Sequence, residues 1–360
     1  MVWQFSSAGY MRGQEARRPE VLPQANPEAL PEVTVEGLPP QVLSSYELKI
    51  KSAERKSPNS WLLNTSQGEY LLRELPDQSN QAKTIELYLQ FSEQGIANLF
   101  PLEKTKSGKA YEKTEGKLYY LTHYRKGNFF KGDDISHLRL AAKNLAILHR
   151  QTGGWRKEQG KKQNLWLTVK QNRLRDLLAY LHYLKQNKVL TDFERLFIEN
   201  FDFFYDQGQE SLEHMVLAGQ EEAFIINNLL PENITLLDDK LVFLDITKWN
   251  TGPQAMDFSL LLNSYLPLHR WDLDLIKDLI TQYHQENPLD QKARHLLLAQ
   301  LRFPRRYWLY SHQYFSGQLS SDELTPKLKR YILECYWRDI CLDQLENWLI
   351  GEWDKNDSKE

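Results

Sequence analysis

From residue 45 to 73, apolar and polar positions alternate or run in short blocks separated by turn residues. Tyr46-Glu47-Leu48-Lys49-Ile50 predicts a strand and Ser57-Pro58-Asn59-Ser60 a turn. Trp61-Leu62-Leu63 predicts a second strand, Ser66-Gln67-Gly68 another turn, and Tyr70-Leu71-Leu72-Arg73 a third strand. Between 78 and 94 the period lengthens to that of a helix, with Ile85, Tyr88, Leu89 and Phe91 on its apolar side. Ala110-Tyr111 and Leu118-Tyr119-Tyr120-Leu121, joined through Glu115-Gly116, read as two more strands. The expected first lobe, residues 41–125, is an antiparallel sheet interrupted by one helix.

After Gly127 the period is helical. Leu138, Ala141, Leu145 and Leu148 share one face, and Leu174, Leu177, Leu178, Leu181 and Leu184 mark a second helix. Thr191 with Glu194 is a capping box that opens a third, carrying Phe193, Leu196, Phe197 and Phe201. Two short strands, Ile234-Thr235-Leu236 and Leu241-Val242-Phe243-Leu244, turn at Asp238-Asp239. Helices are expected over 258–264, 273–284, 291–301, 307–315 and 328–350, with the cations of Pro304-Arg305-Arg306 pointing outward. The second lobe, 126–352, is large and helical, and 353–360 is a polar tail.

Residues 1–40 follow neither period. Pro19, Pro23, Pro27 and Pro31 recur every fourth residue among glutamates, and Pro39-Pro40 closes the segment. Proline fixes φ and removes a backbone donor, so a disordered arm of polyproline character is expected.

Composition narrows the function classes. The 360 residues carry a formal charge of −3, which excludes a strongly basic nucleic-acid binder. Hydrophobic residues make up 41%, enough for a sizeable core. Two cysteines, Cys335 and Cys341, cannot build a disulfide framework and read as buried thiols of a reducing compartment. No apolar run reaches the length of a bilayer span, so no membrane insertion is expected. The segment Met1-Val2-Trp3-Gln4-Phe5-Ser6 lacks the pattern of a secretory signal.

The chemistry concentrates between Phe224 and Phe258. A phosphotransferase needs an Asp to accept the proton of the attacking hydroxyl. An Asn five residues later offers a neutral oxygen to Mg²⁺, and a second Asp just beyond a hairpin offers an anionic one. Asn233 and Asp245 stand in that relation, although a loop Asn and a strand-end Asp are also common structural residues. Asp257 follows in a Gly-Pro-x-x-x-Asp segment, where its carboxylate could hold the backbone of the catalytic loop. His149, beside Leu145 and Leu148, reads as a packed histidine, and Arg156-Lys157 with Lys161-Lys162 as a solvated basic loop.

Over residues 45–350 the chain resembles the aminoglycoside-phosphotransferase branch of the protein-kinase-like fold, and within it the CotS-like spore coat proteins. The resemblance is carried by Gly68-Glu69-Tyr70-Leu71-Leu72-Arg73, Thr105–Tyr111 with Tyr119-Tyr120-Leu121, and Leu145–Arg150. The series Asn233, Asp245 and Asp257 and the segment Leu301-Arg302-Phe303-Pro304 with Tyr307-Trp308 complete it. It implies a two-lobed α+β kinase-like fold, a site for ATP and Mg²⁺ at Arg73, Asn233 and Asp245, and a protein that is made in the mother-cell cytoplasm and assembles with other spore coat proteins.

Departures from the pattern shape the functional expectation. Where the family has His-Gly-Asp, this chain has Ile226-Asn227-Asn228. The position of the base is therefore Asn228, and an amide forfeits general-base catalysis worth about 10²–10⁴-fold. The phosphate-gripping lysine is replaced by Arg73, for which Glu86 is the candidate partner. The turn at 57–60 has no glycine, so no Gly-rich flap is expected, and replacement of the loop glycine by Asn227 is expected to reposition the loop. These losses favour a non-catalytic, scaffolding member with a degenerate site, for which no cofactor is certain and ATP with Mg²⁺ is the candidate. The alternatives are an active small-molecule kinase, its acceptor unspecified, and an ATP-binding pseudokinase.

Overall fold

The computed structural model describes residues 37–78, 81–96, 98–153, 165–218, 223–238, 240–244, 246 and 248–353. The arm up to residue 36, the basic loop within 154–164, Asp239, Asp245 and the tail from 354 lie outside the described residues.

Helix α1 (Pro40–Ser44) precedes three antiparallel strands, β1 (Ile50–Ser57), β2 (Ser60–Thr65) and β3 (Gly68–Pro76). Helix α2 (Gln81–Glu93) then leads to β4 (Leu102–Glu103), β5 (Glu112–Thr114) and β6 (Lys117–Tyr124). The sheet order is β1-β2-β3-β6-β4, with β5 paired to β6. The strand expected over 46–50 does not form: residues 46–49 connect α1 to β1 without regular structure, and only Ile50 enters the sheet, as the first residue of β1. Pro39 is the N-cap of α1 and Pro40 its first residue, a position where the missing N–H costs nothing. Leu38 and Tyr46 are buried against Trp61, so the chain from residue 38 is packed rather than part of a disordered arm.

Strand β7 (Asn128–Phe129) crosses to the helical part and pairs with β9 (Ile234–Leu237). Gly127 makes the crossing possible, because a Cβ there would lie 2.2 Å from the Leu236 carbonyl oxygen. Then follow α3 (Ile135–Thr152), α4 (Leu165–Leu184), α5 (Asp192–Glu199), α6 (Phe201–Leu217) and β8 (Ala223–Ile225). The capping box at Thr191 and Glu194 is formed, but Asn200 divides the predicted third helix into α5 and α6. Strand β9 pairs with β10 (Lys240–Phe243), and β8 with β11 (Asn250–Gly252). Helices α7 (Gln254–Tyr265), α8 (Leu273–Glu286), α9 (Gln291–Arg302), α10 (Arg305–Phe315) and α11 (Ser321–Glu346) complete the fold.

One core runs through both lobes. Tyr88 of α2 stacks on Trp249 with ring centroids 5.1 Å apart, and Phe91 meets Phe224 edge-on at 5.0 Å. Asn98 reinforces this seam. Its side-chain amide donates to Asn144 Oδ1 of α3 at 2.7 Å and to the Leu241 carbonyl at 2.8 Å, and its own carbonyl accepts from Phe243 N–H at 3.0 Å. A second, aromatic core holds the outer helices, with Tyr307 stacked on Phe197 and Phe204. Burial of each such ring contributes about 1.5–3 kcal/mol.

Candidate functional site

The segment after β8 is held from below by the first turn of α7. Asp257 is 1% exposed. Its Oδ2 accepts the Ile226 N–H at 2.5 Å and its Oδ1 the Asn227 N–H at 2.7 Å. The helix N-terminus on which the carboxylate sits favours negative charge. His149, on α3, places Nε2 3.3 Å from Asp257 Oδ2 and Nδ1 2.6 Å from the Tyr283 hydroxyl. Asn287 donates to that hydroxyl at 3.1 Å, so the Tyr283 O–H points to Nδ1, and the ring hydrogen sits on Nε2, toward the carboxylate. Burial, with the Asp257 charge adding to it against the Asn287 bond, pushes the Tyr283 phenol up and keeps it a donor. Gln254 closes the ring of contacts, donating to the His149 carbonyl at 2.8 Å and accepting from Asn287 at 3.1 Å.

The clamped loop has a left-handed residue. Asn227 sits at φ 56°, the conformation a glycine would take most easily and one that asparagine tolerates better than most residues. The substitution expected to reposition the loop is thus accommodated by the loop's own backbone. Asn228 is half-buried beside it. Farther on, Tyr265 donates to the Leu229 carbonyl at 2.7 Å, and a single 3₁₀ turn, Pro231–Asn233, follows. Asn233 N–H donates to Leu230 at 2.9 Å, and its carbonyl accepts from Leu244 N–H at 2.9 Å. The backbone of Asn233 is therefore tied to the residue that precedes Asp245, which itself lies outside the described residues.

The sheet supplies less than expected. Arg73 is half-buried on β3, opposite Ser60 on one side and Tyr120 on the other. Its charge opposes the burial that pushes the Tyr88 phenol up. Glu86 does not meet it. The buried face of α2 carries Ile85, Leu87, Tyr88 and Phe91, which turns Glu86 to solvent, and among the described residues no ion pair joins it to Arg73. The expected Arg73–Glu86 pair is therefore not formed.

A cavity of about 390 Å³ opens beside the loop, with Asn227 in its wall. Lys170, Arg173, Arg305 and Arg306 line it, so the cations after Pro304 do not all face away from the protein. Arg305 is exposed at the cavity, while Arg306 is half-buried and paired with Glu334 at 3.0 Å. Sequence reasoning passed over Lys170, Arg173, Tyr283, Asn287 and Gln254. The available signals were the Lys170-x-x-Arg173 spacing and the Gln254-x-x-Asp257 spacing at a helix start.

Comparison with known proteins places this geometry. The family model described as "Spore coat putative kinase YutH" matches residues 40–221, just over half of the 360-residue chain. The chain belongs to this family. Among related members of the spore coat class, it is 21% identical over 327 residues to spore coat protein S of Bacillus subtilis (strain 168), covering 85% of this chain and 93% of that protein. In fold it is similar to an aminoglycoside phosphotransferase from Alicyclobacillus acidocaldarius subsp. acidocaldarius, with a TM-score of 0.75, 19% identity, and coverage of 88% of this chain and 97% of that one. It is also similar to an amicoumacin kinase solved with AMP-PNP and Ca²⁺, with a TM-score of 0.52, 13% identity, and coverage of 84% and 92%. A spectinomycin phosphotransferase solved with ADP and spectinomycin gives a TM-score of 0.52, 11% identity, and coverage of 82% and 94%. This member of the spore coat kinase family therefore has the two-lobed, aminoglycoside-phosphotransferase-like α+β fold. Among its described residues, no helix is long and apolar enough to cross a membrane.

Proposed function

We propose that this protein is a non-catalytic, kinase-like component of the spore coat, made in the mother-cell cytoplasm and assembled with other coat proteins. One observation carries the reading. The loop is clamped by Asp257 and keeps a left-handed residue at 227, yet the residue that follows is Asn228, which cannot take a proton from an acceptor hydroxyl. A surface for assembly supports it. Leu333, Tyr336, Trp337 and Ile340 of α11 are exposed at helical spacing, Trp337 at 70%. A radiolabelled-ATP assay over amines, sugars and aminoglycosides tests the reading. No transfer is expected, and turnover by the unmodified protein that Asp245→Ala abolishes would overturn it.

A second reading, an ATP-binding pseudokinase, is favoured by the bond between the Asn233 carbonyl and Leu244 N–H, which keeps the strand end beside Asp245 against the loop. Asn233 and Asp245 would then hold Mg²⁺. One amide oxygen and one carboxylate are too few ligands for that ion without phosphate oxygens, so the metal would enter with the nucleotide. Its chemistry would be charge neutralisation between phosphates. A rise in melting temperature with ATP and Mg²⁺ together, absent with Mg²⁺ alone and lost in Asp245→Ala, would favour this reading. No rise would favour the scaffold.

A further inference from the structure

The cavity beside the loop is unusual in its charge. Five cationic side chains line it, Lys170, Arg173, Arg305, Arg306 and Arg338, against one carboxylate, Glu334. That carboxylate is already committed, to Arg306 at 3.0 Å and to the Trp271 indole at 3.3 Å. Arg338 is also occupied, donating to the Tyr331 hydroxyl at 3.0 Å and to Gln207 at 2.6 Å. Three cations are left to the space itself.

Lys170 is the most telling of them. It is 6% exposed, and its ammonium lies 3.8 Å from the centre of the Phe303 ring. Among the described residues no carboxylate pairs with it. Burial, and after it the charges of Arg173 and Arg305, push its amine well down from the usual lysine range. Arg173 lies 4.3 Å over the Trp308 ring, whose indole donates to Asp176 at 2.9 Å. A buried cation with no counter-charge is costly, and such groups are normally paired. Met256, Leu260 and Leu309 supply apolar wall, and the volume suits a small organic molecule.

We propose that this cavity, between α4, α7, α10 and α11, binds a small phosphomonoester, its phosphate held by Lys170, Arg173 and Arg305. A dianionic phosphate offers several acceptor oxygens to one ammonium and two guanidinium forks, which a single carboxylate satisfies less completely. The same cations repel an amine, so the site selects by exclusion as well as by attraction. Asn227 brings the clamped loop to the cavity wall, so the ligand would lie next to the catalytic-loop segment. The inference goes beyond the non-catalytic reading and stands whether or not phosphate is transferred, because it concerns binding alone.

Calorimetry and thermal shift on the full chain test it, with inorganic phosphate, phenyl phosphate, benzoate and spermidine as probes. Phenyl phosphate is expected to bind and to raise the melting temperature. Inorganic phosphate should bind more weakly because it lacks the apolar body, and spermidine should not bind. Lys170→Met should weaken phenyl phosphate by about tenfold or more, and Lys188→Met, on the exposed turn after α4, should leave it unchanged. Lys170→Met should also raise the melting temperature of the unliganded protein, since it puts an apolar side chain in place of a buried amine that no carboxylate pairs with among the described residues. Phenyl phosphate binding that survives Lys170→Met, preference for benzoate or spermidine, or no binding at millimolar phenyl phosphate would each overturn the proposal. So would a fall in the unliganded melting temperature of Lys170→Met.

Discussion

Asp257→Ala is the most informative perturbation of the loop. The carboxylate is buried and serves three groups at once: Ile226 N–H at 2.5 Å, Asn227 N–H at 2.7 Å, and His149 Nε2 at 3.3 Å. Truncation leaves the Ile226 N–H and the His149 ring hydrogen without an acceptor in a dry environment, whereas Asn227 is exposed enough for water to serve it. Removing one partner of such a buried, charged arrangement costs about 3–5 kcal/mol. For a chain of this size, at ~2 °C per kcal/mol, that is a fall of roughly 6–10 °C in melting temperature. Asp257→Asn keeps the shape but turns an NH₂ toward one of the two N–H donors, so it should recover less than half of the loss. Urea unfolding followed by tryptophan fluorescence gives the free energies. Amide exchange at Ile226 and Asn227 gives the local effect, which should exceed that at Leu229. A loss below about 1 kcal/mol, or an Asp257→Asn protein as stable as the parent, would refute the clamp as the element that fixes the loop.

Asn227→Val should cost about 1–2 kcal/mol in urea unfolding, because a β-branched residue resists the left-handed backbone, while Asn227→Gly should be close to neutral. Burial pushes the thiols of Cys335 and Cys341 up to about 11, so neither should react with a thiol reagent at mildly alkaline pH until urea is added, when two thiols should titrate. The His214 bond, reinforced by the charges of His214 and Arg302, holds the Glu346 carboxyl below its ordinary 4.5. A lowered folded-state value stabilises the protein above 4.5 and loses that contribution as pH falls through it. Glu346→Gln should therefore flatten the acid limb of the stability profile, measured as urea midpoints at successive pH values.

Local signals carried most of the fold because their physics is local. The turn at Pro58-Asn59, the positive-φ pair Glu115-Gly116 and the Thr191/Glu194 capping box each act within four residues, and each was legible. The strand expected at Tyr46–Ile50 was not there, because five alternating residues cannot distinguish a strand from an extended segment with one buried side chain, Tyr46. The start of α11 was missed because Pro326 masked the capping box at Ser320 and Glu323. At the site, the spacing of Asn233 and Asp257 was readable along the chain. The closure of Tyr283 and Asn287 onto His149 was not, since those residues lie more than a hundred positions away and packing alone brings them together. The inward turn of Arg306 and the burial of Lys170 were hidden for the same reason.

The Asn98 seam has a mechanical consequence. A hinge that breathes must let its halves part along some plane. Here that plane is crossed by the Asn98 bonds to Asn144 and Leu241 and by the Tyr88–Trp249 stack. Opening would break buried hydrogen bonds and wet a continuous apolar core, which is the kind of cost that accompanies unfolding rather than gating. Strain applied to the sheet therefore reaches the helices through this seam, and parting the lobes along it would cost what local unfolding costs.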